Sequence, residues 1–226
     1  MTDRSELLQV LRTILSPGGT GRIEHSPLCD LFEAYVLCGV VRAAQAEGWA
    51  VSLHDMSGTP VNSALFRRSP GNIYAGAGSQ NFTHFVLSRT PAPALEAHIG
   101  IKVTGKSDVV HECDIALLPE ETAEFCRLHR VHPRSSQLIL FVECKFLAGS
   151  VPLHLGRGFV GLDTELKSQY GECQFVANTS SSSVMKMLAR QKRRPHEDVR
   201  PGTDRYETFQ AACRVTLQNY FIRERP

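Results

Sequence analysis

The chain has 226 residues, 42% of them hydrophobic, and its 25 basic and 23 acidic side chains leave a formal net charge of +2. That is enough apolar material for one full core as a single domain, and too little net charge to hold a polyanion by bulk attraction, so any basic surface must be local. Seven cysteines, with no C-x-x-C pair, sit mostly in apolar runs (Cys38, Cys113, Cys144), a usage that predicts buried thiols in the reducing cytoplasm and excludes a disulfide framework.

Residues 3–15 place Leu7, Leu8, Leu11, Ile14 and Leu15 at helical spacing before the breaker SPGGTG. Neither this start nor the run LFEAYVLCGVVRAA, interrupted by Glu33 and Arg42, reads as a signal peptide or a bilayer span, so no membrane association is expected. Ser26 as cap and Pro27 as first helical residue open a longer helix that ends near Glu47, before Gly48. Four strand-like segments follow: WAVSLHDM, FTHFVLSR, EAHIGIKVTG and VVHECDIALL, the last two joined by the hairpin-type turn GKSD. The Gly/Ser/Asn/Pro-rich loops 56–64 and 67–81 are expected to be mobile or substrate-facing. PEETAEFCRLH reads as a short helix with acids in its first turn. Next come the strand QLILFVECKFL, a helix within 157–170 and the strand CQFVANT. SSSSVMKMLARQKRR reads as a helix behind cap-type serines, and DRYETFQAACRVTLQNYFI as a final amphipathic helix.

Three of these elements carry charge where burial is expected. In QLILFVECKFL, Glu143 and Lys145 fall on one strand face with Phe141 and Leu147, while Val142, Cys144 and Phe146 fall on the other. An isolated buried charge costs several kcal/mol, roughly, unless it is paired or binds a metal. The bland reading is an ion pair at a sheet rim. In VVHECDIALL, Glu112 and Asp114 share a face just before the strand turns wholly apolar, and Asp is a poor strand residue. In the long helix Glu33 is the only charge between Leu31 and Val41; it lies either on a polar stripe or facing the ends of the acid-bearing strands.

The order helix Glu33, hairpin strand Asp114, strand Glu143-x-Lys145, then helix, strand and helix resembles the PD-(D/E)XK nuclease superfamily. The resemblance covers about residues 26–180 and implies an α/β fold: a restriction-endonuclease-like core, its mixed sheet flanked by helices, with a helical extension over 181–226. It implies a Mg²⁺-dependent nuclease, with Mn²⁺ substituting, acting on DNA rather than RNA in restriction, phage defence, repair or mobile-element biology, as a homodimer or within a larger complex. By this resemblance Glu33, Asp114, Glu143 and Lys145 are expected to be the catalytic residues. Asp114, Glu143 and the Cys144 carbonyl are then metal ligands, with Glu33 acting through water or on a second ion. Such a site suits Mg²⁺, which takes a few carboxylates and keeps waters and phosphate oxygens. The same fold without cleavage, as a nucleic-acid-binding module, is the alternative.

Weaker patterns surround this set. Arg190, Lys192, Arg193 and Arg194 crowd one helix end and are candidate phosphate contacts beside such a core, or else a solvated face complementing the helix dipole. GRGFVG (156–161) matches G-x-G-x-x-G without the strand or the later acid that a dinucleotide site needs; it suits a loop and helix start where Arg157 faces a phosphate, with Lys167 and Gln169 nearby. His84, His98 and His111 on successive strands, with Cys113, allow a zinc site, although their spacing matches no ligand motif.

Overall fold

The computed structural model describes residues 3–15, 19–76, 81–167, 170, 173–193 and 195–224. Asp3 and Glu6 start the helix α1 (Arg4–Arg12) by bonding each other's backbone N–H, a capping box. Its leucines pack on α2 (Leu28–Ala46), which has twelve buried residues and so lies between layers rather than on the surface. The cap falls at Pro27, one residue later than the sequence suggests. Buried Ser26 makes no side-chain cap and gives its carbonyl to the Arg4 guanidinium at 2.7 Å. Gly48, at φ +78°, stops the helix in a left-handed turn.

Among the described residues, seven strands then form one mixed sheet in chain order: β1 (Ala50–Asp55), β2 (Thr83–Arg89), β3 (Ala92–Thr104), β4 (Val110–Pro119), β5 (Leu140–Lys145), β6 (Gln174–Ala177) and β7 (Pro195–His196). The pairings from β1 through β5 are antiparallel, with α3 (Glu120–His129) placed between β4 and β5. β5–β6 and β6–β7 are parallel, joined through α4 (Leu153–Leu166) and α5 (Ser182–Arg190). The last helix, α6 (Asp204–Glu224), returns to α2. One core cluster takes α1, α2 and α6; a second takes α3, α4 and α5. The described part of the segment after residue 180 contributes α5 to one of these cores and α6 to the other. Six of the seven cysteines are buried. Among the described residues, no helix is long and apolar enough to cross a membrane.

The described part of loop 67–81 lies along the sheet, where Gly71 bridges Ile101. Buried Arg67 anchors it, donating to the Ala75 carbonyl at 2.8 Å and lying over the Phe82 ring. Gly100, opposite this loop, has φ +62°, and a Cβ there would meet Arg67 at 3.2 Å. The level of Gly100 is also where the cores change over. Ile99 and its partner Ile115 pack into the first cluster, while Ile101 and its partner Cys113 pack into the second.

Contact between α2 and α6 rests on Gly39. A Cβ there would lie 2.8 Å from the Phe209 ring and 2.9 Å from that of Tyr206, which stacks on Tyr35. Gly39→Val should therefore destabilise the protein by about 1–3 kcal/mol through overpacking. Gly158→Ala, on exposed α4 with nothing within 4 Å of the added methyl, should stabilise it by about 0.5–1 kcal/mol. Urea unfolding midpoints of the two variants check both signs.

Candidate metal centre

β4 and β5 pair through Leu117↔Leu140, Ala116↔Phe141 and Ile115↔Val142, and there the ladder stops. Beyond it β5 continues beside β6, Glu143 opposite Phe175 and Lys145 opposite Ala177. Where the strands part, the Cys144 N–H has no carbonyl opposite and donates to Asp114 Oδ2 at 2.7 Å. A buried amide must find a partner, and here a side chain supplies it. That bond holds Asp114 beside the next strand's charges. Lys145 Nζ lies 2.5 Å from Glu143 Oε1 and 3.7 Å from Asp114 Oδ2.

Glu33 from α2 and Glu112 from β4 complete a cleft of about 400 Å³, with Phe146, Leu147 and Leu162 among its apolar walls and Cys144 between the charges. The structure thus brings together Glu33, Asp114, Glu143, Cys144 and Lys145. Glu112 adds an acid with no place in the sequence motif, although its position two residues before Asp114 put it on the same strand face.

The charges do not balance. Burial, followed by the nearby carboxylates of Asp114, Asp30 and Glu112, pushes Glu33 up to about 8. Burial and Asp114 push Glu143 up to about 7 against the pull of Lys145. Asp114 is also raised, mainly by burial, which outweighs Lys145 and the Cys144 amide. Burial and Asp114 raise Glu112. Burial alone would lower Lys145, but Glu143 and Asp114 outweigh it and its net direction is up. Without a cation, then, the lysine stays charged, opposite to the depression that a bound metal would cause. Four carboxylates face one ammonium across oxygen donors, and a hard divalent cation such as Mg²⁺ or Mn²⁺ fits that set. A larger cavity, about 500 Å³, is lined by Phe125, Arg130, His132 and Arg134 among others, and no carboxylate lines it.

The remaining candidates separate. Arg157 is exposed on α4, Arg190 at the end of α5, and Lys192 just beyond it. Arg193 is instead paired with the buried Asp163 of α4, and Arg194 lies outside the described residues. GRGFVG is helix interior rather than a loop: Gly156 lets Val184 and Met187 of α5 approach, where a Cβ would lie 2.9 and 2.8 Å from them. Lys167 caps α4, exposed, and Gln169 is outside the described residues. Of the histidine set, His84 and His98 meet at Glu96. His111 instead lies 3.6 Å from Glu165, and Cys113 is in the core. No protein-family model, curated protein or solved structure matches the chain.

Glu33 makes the charge imbalance measurable. A glutamate in an unfolded chain titrates near 4.3, whereas folding holds its proton up to about 8. The native state therefore binds more protons through that window, and stability falls as pH rises across it. In chelator, Glu33→Gln should flatten the fall in melting temperature between about pH 4.3 and 8 and melt higher than the parent at pH 8. A slope equal to the parent's would show that Glu33 carries no such penalty.

Proposed function

We propose that the chain is a metal-dependent nuclease on a restriction-endonuclease-like core, hydrolysing phosphodiester bonds of DNA. The observation that carries this reading is the meeting of Glu33, Asp114, Glu143 and Lys145, from one helix and two strands, in one cleft. The order α2, hairpin β3–β4, β5, α4, β6 and α5 within one mixed sheet supports it, because the resemblance calls for those elements in that order.

Asp114 and Glu143, with the Cys144 carbonyl, would hold the cation, and Glu33 and Glu112 would hold its waters or a second ion. A bound Mg²⁺ supplies a nucleophilic hydroxide near neutral pH and offsets charge on the attacked phosphate. The chain's own part follows from its charges. Lys145, beside Glu143, orients the attacking water and stabilises negative charge developing on the phosphate. Phe146, Leu147 and Leu162 form the apolar wall beside the charged groups. The exposed cations Arg157, Arg190 and Lys192 hold the polyanion's backbone.

Asp114→Ala and Glu143→Ala should each abolish Mg²⁺-dependent cleavage while DNA binding persists or strengthens, since each removes a carboxylate that faces phosphate. Lys145→Ala should lower the single-turnover rate by about two to four orders of magnitude with metal binding retained. Lys145→Arg recovers that rate only if charge alone is needed, because guanidinium keeps its proton near neutral pH. Linear, circular, branched and single-stranded DNA, with RNA in parallel, are the substrates to assay. Wild-type cleavage by either carboxylate variant would remove the metal role. Binding without cleavage by the unmutated protein on every substrate would leave the non-cleaving module.

Basic residues can be divided by the same logic. Neutralising Arg157, Arg190 and Lys192 together should lower the log–log salt slope of binding by about one unit for each phosphate no longer neutralised, with little change in melting temperature. Arg193→Ala should behave oppositely, lowering the melting temperature by stranding the buried Asp163 carboxylate. An unchanged slope in the triple variant would make those residues an ordinary solvated face.

A further inference from the structure

Two strands from the acid cleft, the sheet holds a second set of ligand-type side chains. The register Phe85↔Ala97 sets His84 of β2 opposite His98 of β3, and Glu96 precedes His98 by two residues on the same face. The imidazoles stack with centroids 4.7 Å apart. His84, Glu96 and His98 are all buried, and one donor atom from each lies within 4.8 Å of the others. None of the three lines the acid cleft.

Both rings address one atom. His98 Nε2 is 2.8 Å and His84 Nε2 3.4 Å from Glu96 Oε2, which also accepts from Arg127 at 2.6 Å. Oε1 takes the second Arg127 nitrogen at 2.7 Å. Two imidazoles and a guanidinium thus converge on a single carboxylate oxygen. Tetrahedral zinc, with bonds of about 2.0–2.1 Å, sets its ligand atoms about 3.3 Å apart, and the two His–Glu separations bracket that spacing.

We propose that His84, Glu96 and His98 form a zinc site distinct from the acid cleft. It ties β2 to β3, and Arg127, forked onto the ligating carboxylate, ties it to α3 as a positioning residue. Donor type sorts the two centres. Imidazole nitrogens favour zinc, and the all-oxygen cleft favours Mg²⁺ or Mn²⁺.

The test starts from the full chain carrying Asp114→Asn and Glu143→Gln, which takes the charge out of the cleft as a competing ligand set and leaves the Cys144 amide an acceptor. After exposure to Zn²⁺ and desalting, elemental analysis should find roughly one zinc per chain, and added Zn²⁺ should raise the melting temperature. Adding His84→Ala or His98→Ala should abolish both effects. Co²⁺ in place of zinc should give the intense visible absorption of a tetrahedral site with His84 and His98 intact, a reading independent of whether the histidine variants fold. No retained zinc, retention unchanged by either histidine substitution, or a weak octahedral Co²⁺ spectrum would overturn the proposal.

Discussion

Where β4 and β5 diverge, the Asp114 carboxylate takes the place of a ladder carbonyl for the Cys144 amide, at 2.7 Å. Much of the architecture depends on that replacement. An amide left unpaired at a buried position costs about 1–3 kcal/mol, so the strands can separate there only because a side chain reaches across. Their separation opens the gap that Glu143 and Lys145 line, while β5 keeps its parallel neighbour β6 on the other edge. Asp114 thus closes a structural deficit while facing a functional cleft.

The cleft is electrostatically under-compensated. Burial raises the pKa of Asp114, burial together with neighbouring carboxylates raises Glu33, Glu143 and Glu112, and the ammonium of Lys145 does not offset this. A fold selected for stability alone would replace such groups with apolar side chains. The second cluster is arranged differently, its glutamate gripped by Arg127 and flanked by two imidazoles. Burial tends to raise Glu96, but Arg127 and both histidines outweigh it and hold it well below the usual carboxylate range. One site strains against its own charge and is open to solvent; the other is buried and grips its carboxylate.

Much of this was legible along the chain because charges interrupting an apolar period are conspicuous. Asp114, Glu143 and Lys145 each break a strand that is otherwise apolar, and Glu33 breaks a helix that is apolar almost all round. What escaped was tertiary. Glu96 and Arg127 are 31 residues apart, and Arg193 finds Asp163 only when the segment after α5 folds back onto α4. The two-residue β7 is too short to carry a period, and Gly156 serves helix contact inside a pattern that reads as a phosphate loop. The start of α2 moved by one residue because Arg4, far back in the chain, takes the Ser26 carbonyl.

The most direct measurement is anomalous scattering from crystals of the unmutated protein soaked in Mn²⁺, collected at the manganese edge. The account predicts a manganese peak in the cleft bonded to Asp114 and Glu143, with Glu33 on its waters or on a second peak. Mn²⁺ located elsewhere, or a well-ordered cleft that stays free of metal at saturating Mn²⁺ with Lys145 still bridging Glu143 and Asp114, would contradict it.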